Sequence, residues 1–199
     1  MPTYPLLSIA QIVPVTEAEG PGRRFALWFQ GCPLRCLGCC NPEMLPFAGE
    51  TPMTFAAVAE LLRAAHAEHQ LEGVTLLGGE PFAHAEAAVG LVDEAHRLNL
   101  SVMVFSGYTL ENLRADPGAH PLLERIDILV DGPYLRHQPE KRRRWIGSAN
   151  QRVHFLSDRC AADDPRWLLP NTVEIRLRDG VVTVNGFPVS GIGLGLRTQ

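Results

Sequence analysis

The sequence predicts an α/β fold in which a mostly parallel sheet carries its helices on the outside. Short apolar runs alternate along the chain with longer stretches that have helical periodicity. Glycine, serine or aspartate follows the end of most of these runs, as is usual where a strand gives way to a loop. The 199 residues are 46% hydrophobic, which is enough for a substantial core. This alternation leaves open an incomplete barrel of about six β/α units and an open doubly wound sheet.

The first part of the chain predicts two strands and a helix. The apolar run at 7–15 predicts a strand, and the Gly-Pro-Gly within 17–24 predicts a turn. The second strand is expected at 25–30, where it ends before a glycine and a cysteine-rich loop. After a proline-rich connection, Thr54 is a suitable N-cap for a helix that runs to about His69.

The second part repeats the order of strand and helix. The run at 73–77 predicts a strand closed by a pair of glycines, and Pro81 suits the first position of a helix that runs to about Leu98. The remaining predicted elements are a strand at 100–105, short helical segments at 110–114 and 121–125, and strands at 126–130 and 153–156. Near the end, residues 172–189 alternate around Asp179-Gly180, which predicts a β-hairpin.

Composition and charge exclude several classes of function. With 18 basic and 22 acidic residues, the net charge of −4 gives no general attraction to nucleic acid or to an anionic membrane. No apolar stretch approaches the roughly 20 residues that span a bilayer. The N-terminus also lacks the pattern of a secretory signal. We therefore expect a cytoplasmic protein that binds neither nucleic acid nor membrane.

Four of the five cysteines lie within nine residues, in the sequence CPLRCLGCC. Cys32, Cys36 and Cys39 have C-x3-C-x2-C spacing, Cys40 follows directly, and Cys160 stands alone. Three thiolates on one loop can hold three irons of a cubane iron–sulfur cluster and leave the fourth iron open. A zinc site that uses Cys40 as its fourth ligand is the alternative, and the spacing alone leaves both possible.

A second motif, LLGGEP, places two glycines and Glu80 between a predicted strand and a helix. Glycine lets the backbone approach a ligand closely, and Glu80 could neutralise a ligand's amino group. A tight turn in which Glu80 caps the helix is the alternative. Because ligands gather at the carboxyl ends of parallel strands, we expect the cysteines, this motif, Ser106 and Asp131 to share one site.

Taken together, FQGCPLRCLGCCNPE and LLGGEPF resemble the radical S-adenosylmethionine (SAM) superfamily, and most of all its small activating enzymes of glycyl-radical enzymes, the subgroup that serves anaerobic ribonucleotide reductases. The resemblance covers roughly residues 12–156. It favours an incomplete (β/α)6 barrel of the TIM type at 1–158, followed at 159–199 by a C-terminal extension with the β-hairpin. It also implies an enzyme, a radical SAM oxidoreductase.

The resemblance implies two cofactors and a set of residues that hold them. Cys32, Cys36 and Cys39 would bind a 4Fe–4S cluster, and SAM would chelate the open iron through its methionyl amine and carboxylate. The remaining cofactor-binding positions, with no separate catalytic residue, would be Gly78, Gly79 and Glu80 at the methionyl amine, Gly38 and Cys40 beside the last ligand, and Ser106 and Asp131 at the carboxylate or ribose.

The implied reaction is reductive cleavage of SAM to methionine and a 5′-deoxyadenosyl radical, which takes a hydrogen atom from a backbone glycine of a partner enzyme. An electron donor such as flavodoxin or ferredoxin would supply the electron. Cys40 stands where relatives usually carry an aromatic residue, and the tail from about Cys160 extends past the usual end of the family. These departures leave as alternatives a stand-alone radical SAM enzyme that modifies a peptide or small metabolite and, more remotely, a non-catalytic zinc-binding module.

Overall fold

The computed structural model describes residues 4–48, 52–178 and 180–186. In these residues the strands are β1 (Ile9–Thr16), β2 (Arg24–Phe29), β3 (Gly73–Gly78), β4 (Ser101–Phe105), β5 (Ile128–Asp131), β6 (Arg152–Phe155), β7 (Val173–Arg178) and β8 (Val181–Gly186). The helices are α1 (Phe55–His69), α2 (Ala85–Arg97), α3 (Leu110–Ala115) and α4 (His120–Leu123), and 3-10 turns lie at Pro42–Met44, Pro81–His84 and Pro165–Leu168. The fold is mixed α/β, as predicted.

Six strands form one sheet in the order β1-β2-β3-β4-β5-β6, and the four central strands are parallel. Both outer strands run antiparallel to their neighbours. The sheet therefore differs from the expected six β/α units. A parallel pair needs a long crossover, usually a helix, whereas a short turn joins β1 to β2 and the described connection from β5 to β6 contains no helix.

The two main helices begin differently. The helix predicted after Thr54 is confirmed: Thr54 Oγ1 accepts a hydrogen bond from the Ala57 N–H at 3.3 Å and caps α1. The helix predicted from Pro81 instead begins as a 3-10 turn, and α2 follows it. The Glu80 carboxylate accepts from the Phe82 N–H, and the Glu80 carbonyl accepts from the Ala83 N–H at 3.0 Å, which tightens this first turn.

The two faces of the sheet are covered in different ways. Helices α1 and α2 pack on one face, where their apolar side chains join those of the central strands in the largest core cluster. The other face carries smaller clusters, one with Ala26, Trp28 and Leu77 and another with Met103 and Ile128. Parallel strands are ordinarily buried on both faces, and here the second face borders the cavity described below.

Strands β7 and β8 pair antiparallel as a separate two-stranded sheet, with Ile175 opposite Val184. Gly180 of the predicted turn is described, whereas Asp179 and residues 187–189 of the predicted hairpin lie outside the described residues. Among the helices of the described chain, none has the length and apolar character needed to cross a membrane.

Candidate functional site

The loops after β2, β3, β4 and β5 meet at one end of the parallel sheet and border a cavity of about 500 Å³. This end is where the carboxyl ends of parallel strands leave their loops side by side. The cavity is lined there by the cysteine loop, by Gly78, Gly79 and Glu80, by Ser106 and Gly107, and by Gly132. The two sequence motifs therefore lie together at one cavity, as the sequence predicted.

The cysteine loop is closed at its base by backbone hydrogen bonds. The Gly31 N–H donates to the Met44 carbonyl at 2.9 Å, and the Cys32 N–H donates to the Leu45 carbonyl at 3.0 Å. The buried side chain of Gln30 adds two bonds, since its Nε2 donates to the carbonyls of Glu43 at 3.1 Å and Pro46 at 2.8 Å. Sequence reasoning missed this role of Gln30, because the bonds join positions that have no recognisable spacing.

All four clustered cysteines line the cavity and carry free thiols. In the described part of the chain, no three His, Cys, Asp or Glu side chains are grouped so that they could hold a single metal ion. A cubane cluster does not require the ligands to converge on a single ion, because each thiolate binds a different iron and the ligands surround the cluster. Three free thiols that line the same cavity are the donor set that such a cluster requires, so the residues present fit it.

The cysteines differ in their ionisation. Burial raises the pKa of Cys32. A hydrogen bond from the Cys40 thiol lowers the pKa of Cys39 to about 6, and the same bond raises the pKa of Cys40. The Asn41 N–H also donates to Cys39 Sγ at 3.4 Å. Of these two adjacent cysteines, Cys39 is therefore the more readily ionised.

Gly78 and Gly79 allow β3 to pass very close to the end of β2. Gly78 has a φ of +106°, and a Cβ there would lie 2.4 Å from the Phe29 nitrogen. A Cβ at Gly79 would lie 2.1 Å from the Gly31 carbonyl oxygen. The Glu80 N–H donates to that same carbonyl at 2.9 Å. Any larger residue at either position would push apart the two loops that line the cavity.

Glu80 is buried and its carboxylate organises the neighbouring loop. Oε1 accepts from the Ser106 hydroxyl at 2.9 Å and from the Phe82 N–H at 3.0 Å, and Oε2 accepts from the Gly107 N–H at 2.9 Å. Burial raises the pKa of Glu80 to about 7, although these three hydrogen bonds act in the opposite direction. Ser106 thus enters the site as a partner of Glu80, and both residues line the cavity.

Two predicted positions are not among the cavity-lining residues. Gly38 lies beside the side chain of Arg136. Asp131 is fully buried and accepts hydrogen bonds from the Leu110 N–H at 2.6 Å and from Arg152 Nε at 3.0 Å. Burial acts to raise the pKa of Asp131, but hydrogen bonds from Arg152, Leu110 and His154 outweigh it and lower the pKa. Asp131 therefore fixes the start of α3, one loop away from the cavity.

Other lining residues were not named as candidates from the sequence. Trp28, Leu77 and Phe105 supply an apolar wall from the strands. Gln151 accepts from the N–H groups of Gly147 at 3.1 Å and Ser148 at 3.0 Å and donates to the Gly132 carbonyl at 3.1 Å. These bonds hold the segment that follows Trp145 against the end of β5.

The β7–β8 hairpin, for which the sequence indicated no chemistry, also lines the cavity. Val173, Ile175, Val184, Asn185 and Gly186 contribute to its wall, together with Glu19 from the turn after β1. One cavity is therefore bordered by the cysteine loop and by the C-terminal hairpin. Neither the spacing nor the alternation of residues 172–189 signals this position.

Comparison with known proteins gives a family and several relatives. The model of the family described as "4Fe-4S single cluster domain" matches residues 18–154. The anaerobic ribonucleoside-triphosphate reductase-activating protein of Pasteurella multocida is 30% identical over 154 residues, which span 74% of this chain and 97% of that protein. Proteins of the same name from Vibrio cholerae (31% over 152 residues; 72% and 95%) and Enterobacteria phage T4 (30% over 153 residues; 74% and 94%) are similar as well.

Among solved structures, QueE from Escherichia coli is similar over 54% of each chain, with 17% identity and a TM-score of 0.37, a likeness too weak to support an argument. The hairpin lies outside the segment that the family model matches.

Proposed function

The chain belongs to the 4Fe-4S single cluster domain family and is a radical SAM enzyme of the glycyl-radical-activating type, and from this membership we propose that it activates an anaerobic ribonucleotide reductase. In this proposal Cys32, Cys36 and Cys39 hold a 4Fe–4S cluster and SAM occupies the adjoining cavity. The hydrogen donor is a backbone glycine of the reductase. The relatives named for that activity are covered by this chain over almost their whole length.

One observation carries the proposal: the three thiols of the C-x3-C-x2-C loop and the Gly78-Gly79-Glu80 turn line the same cavity. The cluster and SAM, when bound, would supply the electron and the 5′-deoxyadenosyl radical that abstracts the hydrogen atom. The chain's part is to hold these groups in one orientation and to keep water out of the reaction.

Glu80, Ser106 and the two glycines are suited to the methionyl part of SAM. Gly78 and Gly79 line the cavity, and their lack of side chains lets the end of β3 pass close to the end of β2 beside the cysteine loop. Glu80 is a buried carboxyl whose three hydrogen bonds come from neutral donors, and a bound ammonium group would add the charge that favours its ionised form. Gly38 and Cys40 complete the proposed surroundings of Cys39. The position of Asp131 behind the Ser106–Leu110 loop supports an indirect, orienting part in the same site.

The apolar wall of the cavity is suited to protecting a reactive intermediate. Trp28, Leu77 and Phe105 face it from the sheet, and a wall of largely apolar side chains excludes water. Helices cover one face of the sheet while the cavity lies on the other. This arrangement supports an incomplete barrel with its helices outside and its reaction chamber inside. We propose that residues 159–199, which include the β7–β8 hairpin, form a C-terminal extension of that barrel.

A stand-alone radical SAM enzyme that acts on a peptide or metabolite is the second candidate. It is favoured by the hairpin, which lies outside the family match and yet lines the cavity. The two candidates share the cofactors, and an electron donor such as flavodoxin or ferredoxin would serve either. They differ in the molecule that donates the hydrogen atom.

The test begins with anaerobic reconstitution, followed by counting of iron and sulfide and by an assay of reductive SAM cleavage. We expect about four irons per chain and 5′-deoxyadenosine as a product. With the anaerobic ribonucleotide reductase of the same organism, an electron spin resonance signal of a glycyl radical should appear. Zinc without iron or sulfide would contradict the proposal, and 5′-deoxyadenosine formed together with a modified metabolite would favour the second candidate.

A further inference from the structure

The two faces of the C-terminal hairpin have the reverse of their usual orientation. In an antiparallel pair, residues directly opposite each other share a face. Val173, Ile175, Leu177, Val182 and Val184 therefore form one face, which we call the apolar face, and Glu174, Arg176, Thr183 and Asn185 form the other. A hairpin packed on a protein ordinarily buries its apolar side.

Here the polar face is the one that docks on the rest of the chain. Asn185 Nδ2 donates to Thr16 Oγ1 at 2.9 Å, and the Gly186 N–H donates to Glu19 Oε1 at 2.6 Å. Arg176 Nη2 donates to the Val15 carbonyl at 2.6 Å, and the Glu17 N–H donates to the Glu174 carboxylate at 2.8 Å. These bonds fix the hairpin on the turn between β1 and β2, so the outward direction of the apolar face is set by specific contacts.

The apolar face remains open to solvent. The exposed fractions are 54% for Ile175, 74% for Leu177 and 44% for Val184. Single exposed apolar residues are common, but a contiguous apolar surface on one element marks an interaction site. The apolar face extends from the cavity outwards. Val173, Ile175 and Val184 line the cavity, whereas Leu177 and Val182 lie beyond its wall.

This surface has the length of an extended chain segment. From Val173 to Leu177 the strand rises about 13 Å, at about 3.3 Å per residue. A small metabolite held in the cavity would leave the outer part of that surface uncovered. A polypeptide that enters the cavity would instead lie along the whole apolar face and bring one of its residues to the reacting end.

We propose that the apolar face of the hairpin is a docking surface for the partner enzyme, and that it receives the extended apolar segment flanking the glycine that loses its hydrogen atom. The inference rests on the proposed function and assigns part of its partner recognition to a region outside the family match. The apolar face is continuous with the cavity that the cysteines line, so a polypeptide segment that reaches the cysteines from this side would lie along it. Side chains alternate along an extended segment, so the segment would present every second residue to the hairpin.

The experiment separates docking from cofactor chemistry. The double variant Leu177→Ser/Val182→Ser changes two facing residues outside the cavity wall, and Leu61→Ser/Leu168→Ser is the matched control with two half-exposed or exposed leucines elsewhere. Each variant, loaded with its cluster, is assayed for SAM cleavage without partner and for glycyl-radical formation with the anaerobic ribonucleotide reductase of the same organism. We expect the hairpin variant to raise the KM for the reductase by about tenfold to a hundredfold.

SAM cleavage without partner should stay within about twofold of the wild type in both double variants, and the control should keep the wild-type KM. An unchanged KM in the hairpin variant would overturn the docking inference and leave the proposed function intact. Absence of SAM cleavage in the wild-type protein would instead remove the proposed function itself. Equal loss of both activities in the hairpin variant would assign the hairpin to cofactor binding and would also overturn the inference.

A second measurement does not depend on the folding of those variants. The photo-crosslinking substitution Leu177→p-benzoylphenylalanine, with Leu168→p-benzoylphenylalanine as control, reports what covers the apolar face in the full-length protein. We expect a cross-link from position 177 to the glycine-bearing segment of the reductase. A cross-link to a second copy of this chain, or to its own residues 187–199 with the reductase present, would overturn the inference.

Discussion

The hydroxyl of Ser106 donates a hydrogen bond to the buried carboxylate of Glu80 at 2.9 Å, and so joins the ends of two neighbouring strands. Ser106 follows β4 and Glu80 follows β3. The same carboxylate accepts from the Gly107 N–H at 2.9 Å. Glu80 therefore shapes the cavity wall on both sides, whatever ligand the cavity holds.

For this reason we expect Glu80→Gln to weaken SAM binding by about tenfold or more while leaving the iron content of the reconstituted protein unchanged. The amide keeps one acceptor oxygen but loses the second acceptor and the negative charge, and interactions with a charged partner are the stronger ones. Equilibrium dialysis with labelled SAM measures the affinity. Glu86→Gln at the start of α2 is the control. Loss of iron together with SAM binding would show that Glu80 supports the cysteine loop instead.

The thiol ligands are tested by removing the cysteines one at a time. Alanine at Cys32, Cys36 or Cys39 should each abolish cluster assembly, because no other group of thiols has suitable spacing. Cys160, which packs beside the Met103 cluster and is not among the cavity-lining residues, is the matched control, and its alanine variant should retain full iron and sulfide. The readouts are iron and sulfide content and the visible absorption of the cluster. A Cys160→Ala protein without a cluster would refute the ligand assignment.

Gln30 should matter for the cysteine loop even though it carries no ligand atom. Gln30→Ala removes both side-chain bonds to the far end of the loop and leaves the carbonyls of Glu43 and Pro46 without that donor. We expect the free energy of unfolding to fall by about 1–3 kcal/mol, and the cluster to be lost faster on exposure to a chelator. Urea unfolding and the time course of iron release measure these effects, with the exposed Gln138→Ala as control. Wild-type rates of iron release in Gln30→Ala would contradict this role.

Stability should depend on pH through Glu19. Burial raises the pKa of this carboxyl from 4.5 to about 7, so the folded protein keeps a proton that the unfolded chain releases. The stabilisation is complete below about pH 4.5 and is lost as the pH rises through about 7. Over that interval the free energy of unfolding should fall by up to about 3 kcal/mol on account of Glu19.

The variant Glu19→Gln removes this contribution, so the difference in unfolding free energy between wild type and variant should change with pH between about 4.5 and 7 and stay constant above that range. Urea titrations at several pH values measure it, and the exposed Glu60→Gln variant is the control. A difference that is independent of pH across this interval would show that Glu19 ionises in the folded protein as it does in the unfolded chain.

The sequence allowed the position of the site to be predicted because that position follows from chain direction. Once 25–30, 73–77 and 100–105 are assigned as parallel strands, the residues after them must meet at one edge. The common position of Cys32, Glu80 and Ser106 could therefore be predicted without any knowledge of side-chain packing. The strand directions at the sheet edges were harder to predict from the sequence, because the direction of β6 depends on a long connection without a helix.

Contacts between distant parts of the chain account for what the sequence could not indicate. The sequence did not indicate that the carboxylate of Asp131 bonds to Arg152, which only the antiparallel pairing of β5 and β6 brings near. In the same way, Asn185 and Glu19 are far apart in sequence and meet only because the hairpin folds back on the turn after β1. Local patterns predict which elements form, whereas these pairings depend on how the elements come together.

Because the hairpin docks through its polar face, its removal would leave polar groups of the β1–β2 turn without their partners. Shortening the chain to the length of its relatives would hydrate Glu19 and deprive it and Thr16 of the donors at Gly186 and Asn185. The hairpin and the rest of the domain are thus matched to each other at the β1–β2 turn. An evolutionary history in which the tail was simply added would require compensating substitutions in that turn, and sequences of intermediate length would preserve the record of their order.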